Sequence, residues 1–256
     1  MILKGYDYIE RKKKVEEILD KTNEVNKVKK FPRDEDFTYT NGYKAWTSAI
    51  FVDLRDSTSL FKDKNDVDIA KVIRGFTSEI IEILRKDADD NIKEIGIRGD
   101  CVYAIYSTPD QSDIFYLGER AFYINTYMRM LNELLSQRSL PRIWAGIGLD
   151  TSVTLAVKAG RKSSGINNLV WIGEAVAKAS KLADLGNKNN IDPIVMSDVF
   201  YTNYMVIEDR LVDDGFYTGG TKQWWNEGFS SSLSYYYHAD IIKTEFNNWI
   251  VEGMKS

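Results

Sequence analysis

The 256-residue chain carries 34 Lys and Arg against 38 Asp and Glu, a net charge of −4, and 43% of its residues are hydrophobic. This length and apolar content are enough for one large domain with a full core, and the slight acidity provides no broad basic face for a nucleic-acid backbone. The one cysteine permits no internal disulfide, and no apolar run approaches the about 18 residues of a membrane span. We therefore expect a cytoplasmic protein that binds neither nucleic acid nor membrane.

The spacing of apolar residues predicts the elements in chain order. An amphipathic helix over Tyr6–Val28 is expected to dock on the domain or on a partner subunit. The elements predicted after it are a strand at Ala45–Leu54, a helix at Asp66–Lys86, hairpin strands at Ile92–Arg98 and Cys101–Ser107, a helix at Asp113–Gln137, strands at Ile143–Asp150, Thr154–Lys158 and Leu169–Ile172, and a helix at Glu174–Asp184. The aromatic-rich C-terminal region suggests further strands separated by loops.

The order βα-ββ-α-ββ-βα predicts an α+β fold, with a ferredoxin-like βαββαβ sheet and flanking helices on one face. We divide the chain into an N-terminal helical arm over residues 1–40, a main domain over 41–203 and an aromatic-rich extension over 204–256. The extension is expected to pack on the main domain.

Two carboxylates are the first candidates for chemistry. Asp53 ends an apolar, strand-like run and is followed by the polar turn Arg55–Thr58, and Asp100 lies beside the predicted hairpin turn. A buried strand that ends in a carboxylate often presents a metal ligand, and two carboxylates with a Ser/Thr-rich turn suggest a two-metal phosphate site. Asp56 and Ser57 fit equally well as residues that cap the following turn.

Five segments, in this order, resemble the class III nucleotide cyclase catalytic domain: Phe51–Thr58, Gly99-Asp100, Gly146–Asp150, Lys158–Gly160 and Trp171–Leu182. Together they span roughly residues 45–200. Within that superfamily, segments 51–58, 148–160 and 168–173 are most similar to the bacterial Pycsar pyrimidine cyclases. Those enzymes make cyclic UMP or cyclic CMP as a second messenger in anti-phage defence.

The resemblance implies a class III cyclase-like fold and a complete site. The site would comprise the metal ligands Asp53, Leu54 (through its carbonyl) and Asp100, the phosphate-binding residues Arg55, Asp56, Ser57 and Thr58, and the transition-state cation Lys181. It would hold two Mn²⁺ or Mg²⁺ ions and would take UTP or CTP, with UTP favoured because uridylate cyclases are the commoner members. In this family the carboxylates and the cation come from different subunits, so a homodimer is implied.

The base-reading positions depart from the purine-specific members. Gly96 stands where those members keep a charged base reader, and Val170 stands where they keep an Asp or Cys, so neither side chain can hydrogen-bond a purine. Arg98 shares strand parity with Gly96, and we expect its guanidinium to cross the gap there and meet a pyrimidine carbonyl. Alternatively, Arg98 pairs with a surface acid. Lys181 stands where Arg is commoner, and Ala177 replaces the usual Asn.

Three other functions stay open at this stage. An adenylate or guanylate cyclase is disfavoured by Gly96 and Val170. A catalytically inactive nucleotide-binding or regulatory module is disfavoured because both metal carboxylates are present. A polymerase-like two-metal enzyme is disfavoured because the charge balance offers no template groove. The sequence therefore predicts a phosphorus-oxygen lyase, a pyrimidine nucleotide cyclase.

Overall fold

The computed structural model describes residues 5–21, 24–57, 62, 65–88, 90–160 and 167–255. Within these residues, six α-helices and nine β-strands have defined bounds. In chain order they are α1 (Tyr8–Lys21), β1 (Glu24–Lys27), β2 (Asn41–Leu54), α2 (Asp66–Arg85), β3 (Ile92–Arg98), β4 (Cys101–Ser107), α3 (Gln111–Ser136), β5 (Ala145–Gly160), β6 (Asn167–Ile172), α4 (Glu174–Leu185), β7 (Ile194–Ser197), α5 (Asp198–Asp213), β8 (Asn226–Ser230), β9 (Ser234–Ala239) and α6 (Thr244–Val251). The chain divides into two compact units, residues 1–45 with 154–172 and residues 46–153 with 173–256.

The first unit is built around two strand pairs. β1 runs parallel to the start of β2, and β6 runs antiparallel to the end of β5. Its small core consists of four buried side chains: Phe31, Phe37, Ala45 and Ala156. α1 buries none of its side chains, so its apolar stripe is exposed in this chain.

The second unit is a mixed sheet with the strand order β3-β4-β2-β5-β7-β9-β8. Side chains alternate between the faces of β2. Ile50 and Val52 enter the main core with α2 and α3, whereas Ala49 and Phe51 face α4. The predicted placement of all helices on one face is therefore wrong, because α4 covers the other. By the same alternation, Asp53 belongs to the α4 face.

The helix α2 follows directly from local sequence signals. Asn65 is its N-cap, and the Asn65 side chain accepts a hydrogen bond from the amide of Asp68 at 3.0 Å. Four buried apolar side chains recur at every fourth position and face the core: Val72, Phe76, Ile80 and Leu84. The predicted helix is confirmed, with its end at Arg85 instead of Lys86.

The β3–β4 hairpin determines where Asp100 lies. A two-residue turn joins Arg98 to Cys101, and Gly99 within it has a φ of 65°, a left-handed conformation that glycine adopts without steric cost. β4 also pairs with β2, and this pairing sets Cys101 opposite Asp53. Asp100 therefore lies next to the pairing partner of Asp53. Both predicted hairpin strands are confirmed.

Two local predictions are wrong because tertiary pairing overrides local pattern. The helix predicted over Tyr6–Val28 ends at Lys21, and the strand Glu24–Lys27 follows because it pairs with β2. The strands predicted at Ile143–Asp150 and Thr154–Lys158 form one strand, β5. Residues 151–153 stay extended between them.

The C-terminal part of the chain contains elements that the sequence patterns did not indicate. These are the strand β7 and the helices α5 and α6. The predicted boundary between residues 203 and 204 falls inside α5. β9 pairs with β7, so the aromatic-rich strands continue the same sheet.

Candidate active site

Asp53 and Asp100 are brought close together by two different strands. Asp53 is the penultimate residue of β2 and its side chain is 29% exposed, whereas Asp100 lies in the turn before β4. Burial raises the pKa of the Asp53 carboxyl; the Arg55 guanidinium opposes that shift, and the charge of Asp100 adds to it. The negative charge of the pair is therefore only partly compensated, and a bound cation would be attracted to it.

The donor chemistry of this pair fits a divalent metal ion. Carboxylate oxygens are the ligands that Mg²⁺ and Mn²⁺ prefer, and their shells are commonly completed by water and substrate phosphates. In the described part of the chain, no three side chains of His, Cys, Asp or Glu converge in a cluster that could hold a metal. Asp53 and Asp100 would accordingly be the side-chain ligands.

The turn that follows β2 carries most of the other predicted ligands. Leu54 buries its side chain in the main core at 3% exposure, which fixes the end of the strand. Asp56 is exposed and has a φ of 51°, and Ser57 is half-buried with a helical backbone. Thr58, the last of the predicted phosphate-binding residues, lies outside the described residues.

Arg55 does not lie where the phosphate-binding prediction requires it. Its backbone amide donates to the carbonyl of Trp144 at 2.7 Å, so this amide is not available to a phosphate in this structure. Its side chain, 5% exposed, donates to the carboxylate of Asp53. The same guanidinium donates to the carbonyls of Ala183 and Asp184. Arg55 is therefore a buried link between β2 and the end of α4.

The helix α4 packs on the Asp53 face of the sheet and carries Lys181 on its other side. Ala179 and Ala183 are fully buried in a cluster with Phe51, whereas Lys181 is exposed. Successive helical residues are about 100° apart, so a residue midway between Ala179 and Ala183 faces the opposite way. The single chain therefore does not bring Lys181 and Asp53 together.

Lys181 lines an open cleft of about 220 Å³. The cleft lies between α4 and the turn that joins β8 to β9, and the turn is anchored by the buried Leu233, which belongs to the same cluster as Leu182. The residues around it are Glu174, Ala177, Lys178, Lys181, Ser232, Leu233 and Ser234. Two lysines and two serines thus line the same cleft as Ala177.

The space beside Gly96 is filled, and the predicted gap there is wrong. Gly96 pairs with Tyr103 on β4, and a Cβ atom at Gly96 would lie 2.5 Å from the Tyr103 ring. The ring stacks on Phe51 with centroids 5.2 Å apart, and its hydroxyl donates to Glu94 at 2.5 Å. Burial, followed by the contact with Glu94, raises the pKa of Tyr103 to about 12, so the hydroxyl stays protonated.

The other two predicted base-recognition residues are placed as follows. Arg98 is exposed at the end of β3. Val170 is 42% exposed on β6, in the first unit. The sequence analysis did not identify Tyr103 as a residue of this site. The signal was available, because a two-residue turn at Gly99-Asp100 pairs Gly96 with Tyr103.

The comparisons with known proteins identify the family. No family model matches the chain. A uridylate cyclase from Treponema porcinum is 44% identical over 253 residues, which cover 99% of this chain and 84% of that protein. The chain belongs to the uridylate cyclase family. A second uridylate cyclase, from Gulbenkiania mobilis, is 29% identical, with 98% of each chain covered.

Solved structures agree at the level of the fold. The guanylyl cyclase Cya2 matches with a TM-score of 0.60 at 14% identity, covering 80% of this chain and 97% of that one. The adenylyl cyclase CyaB from P. aeruginosa matches with a TM-score of 0.59 at 15% identity, covering 77% and 95%. The predicted class III cyclase fold and nucleotide cyclase family are confirmed. No helix of the described residues is long and apolar enough to cross a membrane.

Proposed function

We propose that this chain converts UTP into 3′,5′-cyclic UMP and pyrophosphate. The observation that carries the proposal is the 44% identity to a uridylate cyclase along 99% of this chain, in a protein whose two candidate metal carboxylates lie close together. CTP is the alternative substrate. By analogy with the Pycsar enzymes, the product would serve as a second messenger in cytoplasmic anti-phage defence.

The reaction is an internal displacement at phosphorus. The ribose 3′ hydroxyl releases its proton to water, and its oxygen forms a bond to the α-phosphorus. The bond from that phosphorus to the bridging oxygen of the β-phosphate breaks, and pyrophosphate leaves. Two divalent cations, Mn²⁺ or Mg²⁺, would supply Lewis acidity that favours the 3′ alkoxide and neutralises the leaving phosphates. Asp53, Asp100 and the Leu54 carbonyl would hold them.

The remaining residues would bind the substrate. Asp56, Ser57 and Thr58 would donate backbone amides to the β and γ phosphates. Arg98, beside Gly96 on β3, would contact the base, and Val170 would leave the purine-reading position without a polar group. These assignments are supported by the order of the motifs along the chain.

Lys181 would reach the substrate from the partner subunit of a homodimer. The support is geometric, because Lys181 and Asp53 lie on opposite sides of α4 in one chain. A Lys181 cation supplied by the partner would meet the charge that develops on the α-phosphate. One fold relative, with a TM-score of 0.51 at 14% identity, is described as a non-canonical dimeric guanylyl cyclase domain.

The test is to incubate the purified protein with each of the four nucleoside triphosphates and Mn²⁺, and to identify products by mass spectrometry. We expect cyclic UMP from UTP, and its loss in Asp53→Ala and Asp100→Ala variants. Asp209→Ala, at an exposed position on α5, is the matched control. Cyclic CMP as the main product would favour the alternative substrate. A cyclic purine nucleotide, no product, or retained activity in either aspartate variant would contradict the proposal.

A further inference from the structure

The guanidinium of Arg55 holds both the backbone and the carboxylate of Asp53. Nη2 of Arg55 donates to Oδ2 of Asp53 at 2.9 Å and to the Asp53 carbonyl at 3.0 Å, and Nε donates to the same carbonyl at 3.2 Å. The Arg55 side chain is 5% exposed. The Nε–Nη2 fork fixes the backbone of Asp53, and the buried, charge-assisted hydrogen bond to Oδ2 holds its carboxylate more firmly than a solvated contact would.

The same guanidinium is also attached to the end of α4. Nη2 donates to the carbonyl of Ala183 at 2.7 Å, and Nη1 donates to the carbonyl of Asp184 at 3.0 Å. The last carbonyls of a helix have no partner within the helix and carry partial negative charge, so a buried cation stabilises them. Arg55 thus donates hydrogen bonds both to the last carbonyls of α4 and to the carboxylate of Asp53.

Gly146 on β5 makes this arrangement possible. A Cβ atom there would lie 2.8 Å from Nη2 of Arg55 and would overlap the carbonyl oxygen of Ala183. The strand therefore leaves room where the guanidinium meets the helix. Any side chain at this position would displace one of them.

We propose that Arg55 is a positioning residue for the metal site. It holds Oδ2 of Asp53, leaves Oδ1 for the cation, and fixes this carboxylate relative to α4, the helix that carries Lys181. The inference rests on the proposed function for the identity of the reaction, but the geometry concerns metal binding itself. Groups that hydrogen-bond metal-ligating carboxylates typically change metal affinity 10- to 100-fold when they are removed.

The experiment measures Mn²⁺ binding by the loss of the free Mn²⁺ electron paramagnetic resonance signal, with Mn²⁺ alone as the probe. Arg55→Lys keeps the charge but loses the fork, and we expect its half-saturation concentration to rise about 10- to 100-fold. Asp184→Asn is the matched control, because it removes the outer 3.5 Å ion pair of Arg55, together with the surface pair of Asp184 and Lys188 at 2.6 Å, and keeps the backbone carbonyl that Arg55 contacts. We expect it to stay within about twofold of the unmodified protein. In an Asp53→Asn background, Arg55→Lys should add no further loss.

Thermal unfolding of the same samples separates positioning from a purely structural role. A lowered melting temperature with an unchanged Mn²⁺ response would make Arg55 only a cap of α4 and would overturn the proposal. An unchanged Mn²⁺ response in a fully stable Arg55→Lys variant would overturn it equally. If wild-type protein makes no cyclic nucleotide, the proposed function fails, but the Mn²⁺ comparison still decides the role of Arg55.

A second measurement needs no Arg55 variant. Hydrogen exchange in the unmodified protein should slow at the end of α4, residues 183–188, when Mn²⁺ is added, because coupling between two sites is reciprocal. The Asp53→Asn protein should show no such change. If hydrogen exchange at residues 183–188 of the unmodified protein does not change when Mn²⁺ is added, the proposed coupling between the metal site and the end of α4 is wrong.

Discussion

Gly96 and Tyr103 are complementary residues on paired strands. Gly96 has no side chain, and the Tyr103 ring occupies the space that a side chain there would need. The ring is held on its other face by Phe51 and at its hydroxyl by Glu94. The sequence alone suggested a gap at Gly96, and the ring of Tyr103 fills that space.

Substitution of Gly96 by Ala should destabilise the protein through this contact. A methyl group 2.5 Å from the Tyr103 ring forces the ring or the strand to move, and overpacking of this kind costs about 1–3 kcal/mol. Urea unfolding measures the effect. Gly219→Ala is the control, since a Cβ at Gly219 has no heavy atom within 4 Å. The added substitution Tyr103→Val should recover part of the loss, and strictly additive losses would contradict the contact.

Asp150 is a buried carboxyl that the proposed mechanism does not use. It is 2% exposed on β5. Burial raises its pKa to about 6, against hydrogen bonds from Ser197 and Thr151 and the charge of Lys178, which lower it. The folded state therefore retains a proton on Asp150 over a pH range in which the unfolded chain has released it.

The raised pKa predicts a pH-dependent stability difference. Stability falls as pH rises from the unfolded pKa to the folded one, because the folded state must lose a proton that it holds more tightly. An Asp150→Asn variant does not lose stability in this way, because Asn carries no titrating proton. Its stability relative to the unmodified protein should increase by about 1 kcal/mol from pH 5 to pH 8, measured by urea unfolding. Asp209→Asn should show no such trend. Equal differences at both pH values for Asp150→Asn would disprove the shift.

The placement of α4 depends on its close approach to β5. A Cβ atom at Gly148 would overlap the backbone of Ala179 and Ala183, so the helix lies on the strand with no side chain between them. Backbone atoms cannot rotate away as a side chain can. The short distance between strand and helix is what brings the end of α4 within reach of Arg55.

Gly148→Ala should therefore displace α4. We expect a loss of about 3 kcal/mol or more in the free energy of unfolding, together with loss of cyclic nucleotide formation. Gly75→Ala on α2 is the matched control, because its Cβ would meet only the end of the Leu131 side chain, at 3.2 Å. Its effect should stay within about 1 kcal/mol, since alanine also favours the helix. Equal losses in the two variants would contradict the role of close packing.

At the scale of the whole molecule, two features of the described residues bear on assembly. The apolar residues of α1 are exposed, and Lys181 faces away from Asp53. A homodimer that shares its sites would use Lys181 of each subunit in the site of the other. Two sites of this kind require a two-fold arrangement of the copies.

Mixing two inactive variants tests this assembly. Asp53→Ala and Lys181→Ala chains should each lack activity alone. After subunit exchange, a heterodimer contains one site with all its residues, so random pairing should recover about a quarter of the wild-type activity. Mixing Asp53→Ala with Asp100→Ala is the control and should recover nothing, because both lesions fall in the same half of the site. No recovery in the first mixture, despite demonstrated exchange, would mean that each site is built within one chain.

The sequence by itself determined the elements whose signals are local. The spacing of apolar residues in α2, the glycine turn of the β3–β4 hairpin and the apolar run that leads to Asp53 act over a few residues, so they were predictable. The motif order also indicated the cyclase family. Only the tertiary structure decided that Glu24–Lys27 is a strand, that Tyr103 fills the space at Gly96, and that Arg55 joins Asp53 to α4. Each of these depends on partners distant in sequence, where pairing, close packing and burial of charge outweigh local preference.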